Sequence, residues 1–125
     1  MTSHESTETP RPLATVGALA LDPRGRGLFV RTAKWSGLWG VPGGKIERGE
    51  TILAALLREF REETGLTLSD VRWTPTLEAV DHPEFARPAH FVLLNFTARA
   101  DGEVRLNDEA DAHAWLPLRQ ALREL

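Results

Sequence analysis

Glutamates at positions 59, 62 and 63 are the side chains whose types and spacing point most directly to chemistry. On an α-helix each residue advances by about 100°, so Glu63 would lie at about +40° and Glu62 at about −60° relative to Glu59. Carboxylates this close repel one another and cost an isolated helix roughly 0.2–0.5 kcal/mol per pair, so we expect a cation to offset them. The alternative is a solvated acidic face, paired with Arg58 and Arg61.

Carboxylate oxygens without Cys or His favour Mg²⁺ or Mn²⁺ over zinc. Because Mg²⁺ is typically held by one or two carboxylates plus substrate phosphates, the acidic cluster predicts a phosphorylated ligand. The segment that precedes the helix contains three residues suited to binding a phosphate. Gly43 and Gly44 permit close backbone approach and positive φ, and Lys45 adds a cation. Amides near a helix N-terminus also favour anions.

The stretch 44–66 resembles the signature of the Nudix hydrolases, the MutT-like pyrophosphohydrolases. That signature reads G-x5-E-x7-R-E-U-x-E-E-x-G-U, where U is apolar. The chain matches it without departure at Gly44, Glu50, Arg58, Glu59, Phe60, Glu62, Glu63, Gly65 and Leu66. Residues 39–44 and 115–117 are also similar to the family, so the resemblance extends over about residues 14–125.

The resemblance implies an α+β fold, the Nudix α/β/α sandwich with a mixed sheet and a catalytic loop-helix-loop motif. It implies a set of metal ligands made of the main-chain carbonyl of Gly43 and the side chains of Glu59, Glu62 and Glu63, with Glu47 in the adjoining loop. Arg58 would orient a neighbouring glutamate, with Glu50 as its partner. Family members often add one acid from a late loop, for which Glu109 is the candidate and Asp108 and Asp111 are competitors.

The implied reaction is Mg²⁺-dependent hydrolysis of a nucleoside diphosphate linked to another moiety, with Mn²⁺ as a second candidate ion. A carboxylate takes the proton of the attacking water; we favour Glu62, with Glu63 and Glu109 as alternatives. Nucleoside triphosphates and nucleotide sugars are the main substrate candidates. An ADP-ribose-type pyrophosphatase and a non-catalytic nucleotide-binding Nudix module are the alternatives.

Candidates for contact with the substrate include glycines, cations and aromatic rings. Those with the best claim are Gly43, Gly44, Lys45, Arg31 and Trp39. The side chains that are more often structural or simply solvated are Lys34, Trp35, Trp73, Phe85, His82 and His90.

The elements that would position these residues can be predicted from hydrophobic periodicity. A helix over residues 51–64 carries an apolar stripe of Leu53, Leu56, Leu57 and Phe60, and Gly65 follows as its C′ residue. A second helix covers residues 118–125, with Pro117 before it. Strands are predicted at residues 13–21, 28–31, 38–41, 71–80 (with a break at Pro75), 90–100 and 115–116. This β-β-β-α-β-β-β-α order predicts helices on the faces of a mixed sheet.

Composition sets the remaining expectations. A chain of 125 residues predicts a flexible tail at residues 1–12 and one domain at residues 13–125. The net charge of −3 argues against non-specific nucleic-acid binding, and the absence of Cys excludes disulfides. No apolar segment approaches the roughly 20 residues of a membrane span, and the N-terminus lacks a signal peptide's apolar region. We therefore expect a cytoplasmic protein with a small-molecule nucleotide partner, no nucleic acid and no membrane. A homodimer, and a natural chain that continues past Leu125, remain open.

Overall fold

The computed structural model describes residues 11–33, 36–83 and 88–124. Most of the predicted tail, and the candidates Lys34, Trp35 and Phe85, therefore lie outside the described residues. The strands are β1 (Leu13–Leu21), β2 (Arg26–Thr32), β3 (Leu38–Gly40), β4 (Gly43–Lys45), β5 (Thr67–Trp73), β6 (Leu77–Val80), β7 (His90–Asp101) and β8 (Ala110–Pro117). The helices are α1 (Ile52–Thr64) and α2 (Leu118–Glu124).

Strand β1 is the centre of a mixed sheet. It runs parallel to β7 over its whole length and antiparallel to β2 and β4. On one side, β7 pairs with β5 and β6, and on the other β2 pairs with β3 and β8. The register places Gly43, Gly17 and Asn95 in one row across β4, β1 and β7. The predicted α+β class with a mixed sheet is confirmed, and the sheet does not close.

The core lies between α1 and one face of this sheet. Alternate residues of β1 and β7 point to this face, as the period of two in a strand requires. They pack against the buried side of α1; the cluster is Val16, Ala18, Ala20, Leu28, Ala55, Leu56, Phe60, Leu66, Leu68, Phe96 and Ala98. Among the described residues, no helix has both the length and the apolar character needed to span a membrane.

The predicted apolar stripe of α1 is wrong at its first residue. Leu53 is 50% exposed, whereas Leu56 and Phe60 are fully buried. The first three residues of the helix are exposed, so packing begins only at Ala55. Periodicity identifies one face of a helix, but it does not show how much of that face is covered by the rest of the chain.

Three strands also differ from expectation, and one of them is β5, which begins at Thr67, four residues before the predicted start. The Pro-Gly-Gly sequence at 42–44 predicts the end of the strand before it, and β3 does end at Gly40. The strand β4 at Gly43–Lys45 was not predicted, because it needs β1 as an antiparallel partner. Strand β8 begins at Ala110, five residues before the predicted start, because it pairs with β2 along its length. The predicted break at Pro75 is present, since β5 ends at Trp73 and β6 begins at Leu77.

Candidate active site

The two glycines of β4 allow two close approaches. A Cβ at Gly43 would overlap the main-chain oxygen of Val16 on β1, and a Cβ at Gly44 would overlap the Glu59 carboxylate. Neither glycine is among those with positive φ, so close approach and not a left-handed backbone requires glycine here. Glycine is needed at these positions because β1 and Glu59 take the space of a side chain.

Helix α1 has well-defined ends. The Thr51 side chain caps the N-terminus and accepts a hydrogen bond from the Ala54 amide at 3.1 Å, so that amide is already satisfied. Gly65 adopts the left-handed conformation with φ of 74° and donates to the Arg61 carbonyl, as predicted for a C′ glycine. These ends place the glutamates in the middle and last turns of the helix.

Glu59, Glu63 and Glu109 form an acidic group, which we call the carboxylate triad. One carboxylate oxygen of each lies within 4.8 Å of the others. Glu63 is only 2% exposed, Glu59 is partly buried and Glu109 is exposed. The main-chain amide of Gly43 donates to Glu63 Oε2 at 3.3 Å. Gly43 thus contacts the triad through its amide in this structure, whereas the resemblance implies a role for its carbonyl.

Glu62 does not join the triad, although it is predicted as both metal ligand and base. The buried residues of α1 span an arc of the helix that contains Glu59 and Glu63. Glu62 lies about 60° from Glu59 in the direction away from Glu63, which puts it just outside this arc. Its side chain is 53% exposed and accepts from Arg58 Nη1 at 3.3 Å. Of the three late-loop candidates, the structure brings Glu109 to the triad and not Asp108 or Asp111.

Arg58 connects the acidic residues of this region. Its Nε and Nη2 donate to the two oxygens of Glu50 at 2.5 and 2.8 Å, which is a bidentate pair. Its Nη1 donates to Glu59 at 2.9 Å and lies 3.9 Å from the exposed carboxylate of Glu47. Hydrogen bonds from Arg58, and then from the Glu47 amide, lower the pKa of Glu50 to about 2. The hydrogen bonds that Arg58 donates to the Glu50 carboxylate are the main reason that the pKa of Arg58 is raised.

A cavity of about 800 Å³ opens beside the triad. At its acidic end it is lined by Gly43, Gly44, Lys45, Glu47, Glu59, Glu63 and Glu109. Its lining also includes side chains of the sheet, among them Leu13, Thr15, Leu77, Phe91, Leu93 and Asn95. One cavity therefore joins a hard-oxygen cluster to a mainly apolar surface that carries an amide and a hydroxyl.

Two predicted substrate contacts do not line this cavity. Arg31 donates to Asp111 at 2.8 Å, and its guanidinium lies 6.0 Å from the centre of the Trp39 ring. Trp73 is 64% exposed and His90 pairs with Glu78 at 2.9 Å, both away from the cavity lining. His82 does not line it either.

Residues 11–125 match the NUDIX domain family model. An octanoyltransferase from Myxococcus xanthus is 33% identical over 97% of this chain and 35% of its own length. The 8-oxo-dGDP phosphatase NUDT18 of Mus musculus is 34% identical over 80% of this chain and 31% of its own length. The chain thus spans about a third of the length of these curated relatives.

Solved structures show the same architecture. A MutT NUDIX hydrolase from Burkholderia pseudomallei superposes with a TM-score of 0.77 at 29% identity, covering 88% of this chain and 86% of that one. The NUDIX domain of Shewanella oneidensis NrtR, crystallised with ADP ribose, has a TM-score of 0.74 at 22% identity, covering 98% and 86%. Since the family model covers nearly the whole chain and the fold agrees, this chain belongs to the Nudix family.

Proposed function

We propose that the chain hydrolyses a pyrophosphate bond of a nucleoside diphosphate linked to another group, with Mg²⁺ or Mn²⁺ as its cofactor. The observation that carries this proposal is the carboxylate triad at one end of a cavity large enough for a nucleotide. Family membership and the phosphatase name of the mouse relative support it.

The donor set fits a divalent cation. Three carboxylates offer hard oxygen ligands, and partly satisfied shells of this kind suit Mg²⁺, which also takes substrate phosphate oxygens. Glu59, Glu63 and Glu109 would hold the ion, with Glu62, Glu47 and the Gly43 carbonyl as the further ligands implied by the resemblance. When bound, the ion would neutralise phosphate charge and lower the pKa of a bound water.

The side chains around the triad have distinct tasks in this proposal. Arg58 holds the Glu59 carboxylate in place, while Glu50 fixes the other side of the guanidinium. Lys45, on the cavity wall, would contact a phosphate oxygen. These contacts keep the carboxylates oriented before the substrate arrives, which is the form of preorganisation that catalysis requires.

In the hydrolytic step, a water oxygen forms a bond to one phosphorus and the bond from that phosphorus to the bridging oxygen breaks. A carboxylate accepts the proton of the attacking water. The geometry favours Glu109 over Glu62 as this base, because Glu109 belongs to the triad and is exposed to water, while Glu62 is held by Arg58 outside it. Glu63 is the buried alternative.

The sheet end of the cavity would take the nucleoside. Leu13, Leu77, Phe91 and Leu93 give it an apolar surface, and Asn95 offers both a donor and an acceptor to a base edge. Nucleoside triphosphates, oxidised purine nucleotides included, and nucleotide sugars are the proposed substrates. The name of the mouse relative, an 8-oxo-dGDP phosphatase, supports a nucleotide with an oxidised purine.

The test is a panel of nucleotides with Mg²⁺, in which released phosphate and pyrophosphate are measured separately. Glu63→Gln keeps the size of the buried side chain but removes its charge, so we expect turnover to fall by about 10²–10⁴-fold with the far-ultraviolet circular dichroism unchanged. Glu103→Gln, the same substitution at an exposed position outside the cavity lining, should retain wild-type turnover.

Two results would contradict the proposal. Near-wild-type, Mg²⁺-dependent turnover in Glu63→Gln would remove the triad from the mechanism. Nucleotide binding by the wild type without any turnover would favour the non-catalytic module instead.

A further inference from the structure

The position of Glu109 needs a structural explanation. It is exposed and belongs to the segment 103–109, which lies between β7 and β8 and forms neither helix nor strand. Its carboxylate nevertheless meets those of Glu59 and Glu63, which a regular helix holds. An exposed side chain on such a segment would otherwise sample many positions, so its neighbours must restrict it.

Two backbone hydrogen bonds attach this segment to the last turn of α1. The Arg105 amide donates to the Thr64 carbonyl at 2.7 Å, and the Asn107 amide donates to the Glu63 carbonyl at 3.4 Å. Carbonyls in the last turn of a helix have no partner within the helix, so this segment supplies one. The attachment therefore occurs at a triad residue, Glu63.

Asn107 makes a second contact with its side chain. Its Oδ1 accepts a hydrogen bond from the Glu109 amide at 3.0 Å. This is an Asx turn, in which an Asn side chain bonds the backbone two residues further along the chain. Asn107 is thus bonded to Glu63 through its backbone and to Glu109 through its side chain. Asn107 therefore connects the last turn of the helix to the backbone of Glu109.

On the other side of Glu109, strand β8 contains a bulge. Arg31 is opposite Ala112 and Thr32 is opposite Ala110, so Asp111 is an extra residue in the pairing with β2. Arg31 Nε donates to Asp111 Oδ1 at 2.8 Å and fixes the bulged residue. Bulges bend a strand and redirect the side chains beside them, here at the residue pair that follows Glu109.

We infer that Asn107 and the Arg31–Asp111 pair are positioning residues, which hold the Glu109 carboxylate beside Glu59 and Glu63. The expected consequence of this positioning is the binding of a divalent cation, and in that respect the inference rests on the proposed function. Arg31, expected from the sequence to contact substrate, acts in this inference through Asp111. We expect Asn107 to contribute more than Arg31–Asp111 to the positioning of the Glu109 carboxylate, because an exposed ion pair adds little to stability.

A double-mutant cycle with Mn²⁺ binding as the readout tests this inference. The variants are Asn107→Ala, Glu109→Gln and the double variant, measured by calorimetry without nucleotide. We expect Asn107→Ala to weaken Mn²⁺ affinity by about 10-fold, the range for residues that orient metal ligands. In the Glu109→Gln background the same change should have less than about a 2-fold effect, because the carboxylate it positions is gone.

Two further variants separate positioning from general damage. Asn107→Asp keeps an oxygen acceptor for the Glu109 amide, so its Mn²⁺ affinity should stay within about 3-fold of wild type. Arg31→Gln leaves Asn107 intact and should weaken binding by less than about 5-fold. In the metal-free protein, hydrogen exchange of the Glu109 amide should become faster in Asn107→Ala and not in Asn107→Asp.

The outcomes separate this inference from the proposed function. Three results would overturn the positioning role while the hydrolase proposal stands. Asn107→Ala could lower Mn²⁺ affinity equally in the wild-type and Glu109→Gln backgrounds, or it could lower it in neither. The third result is that Asn107→Ala leaves the hydrogen-exchange rate of the Glu109 amide unchanged. The positioning role would also be overturned if Asn107→Asp bound Mn²⁺ no more tightly than Asn107→Ala. A wild type that takes up no Mn²⁺, even with nucleotide present, would overturn the proposed function and this inference with it.

Discussion

Arg58 is the residue on which the acidic site depends most. Its guanidinium bonds Glu50 on one side and Glu59 on the other, and it holds Glu62 away from the triad. A guanidinium can do this because its donors are fixed in a plane and it stays charged at every relevant pH. The Arg58 guanidinium therefore helps to determine which of the neighbouring glutamates meet at the cavity and which remain outside it.

The Glu50–Arg58 pair predicts a specific dependence of stability on acidity. The pKa of Glu50 is lowered from 4.5 to about 2 in the folded chain, so its stabilising contribution is complete above pH 4.5 and is lost as pH falls toward 2. Urea unfolding between pH 6 and about pH 2.5 should therefore show a stability difference between wild type and Glu50→Gln that narrows as the solution becomes more acid. Glu103→Gln lies outside the Arg58 network and should show no such narrowing; equal narrowing in both variants would contradict this role for Arg58.

At the scale of elements, β4 and α1 form the acidic end of the site together. The strand passes so close to the helix that Gly44 has no room for a Cβ beside the Glu59 carboxylate. The helix in turn presents Glu63 to the Gly43 amide. The short strand is thus a fixed wall against which the glutamates of α1 are oriented.

The close contact between Gly44 and Glu59 predicts that a substitution at Gly44 lowers activity, whereas a glycine substitution far from the site lowers only stability. Gly44→Ala should displace the Glu59 carboxylate and lower kcat/KM for the proposed hydrolysis by at least about 10-fold, in the range of ligand-orienting changes. Gly25→Ala is the matched control, since Gly25 has a φ of 74° and no atom within 4 Å of the added Cβ. We expect it to cost about 1 kcal/mol of folding stability through its left-handed backbone and to leave kcat/KM unchanged. The same activity in both variants, measured with folded protein, would show that Gly44 has no special place in the site.

The sequence is most informative where local physics decides the structure. The ends of α1 follow from Thr51 and Gly65, and the approach of Glu59 to Glu63 follows from helical geometry. The family resemblance named Glu109 ahead of Asp108 and Asp111, and the structure brings Glu109 to the triad. Two features depend on distant partners and could not be predicted: β4, which needs β1 beside it, and the exposure of Leu53. The bulge at Asp111 belongs to this group, because it exists only in the pairing of β8 with β2.

At the scale of the whole molecule, the central sheet separates two tasks. One face packs against α1 and forms the core, while the opposite side chains of β1 and β7, Thr15, Leu93 and Asn95 among them, line the cavity. The segment after β7 then brings Glu109 back to α1. The same strands thus provide stability on one side and a surface for the proposed nucleoside on the other.

Because three carboxylates converge, folding and ligand binding should be linked in the whole chain. A ligand that binds only the folded state stabilises it by about 2.7 kcal/mol when its concentration is 100 times its Kd. Thermal unfolding with Mg²⁺ and a non-hydrolysable nucleoside triphosphate analogue should therefore show a Tm several degrees higher than in EDTA with the same analogue. Glu63→Gln, which removes the buried charge from the triad, should lose most of this increase, whereas Glu103→Gln should keep it. An equal rise in Tm for Glu63→Gln would mean that the ion and the nucleotide bind elsewhere, since no other change separates that variant from the wild type.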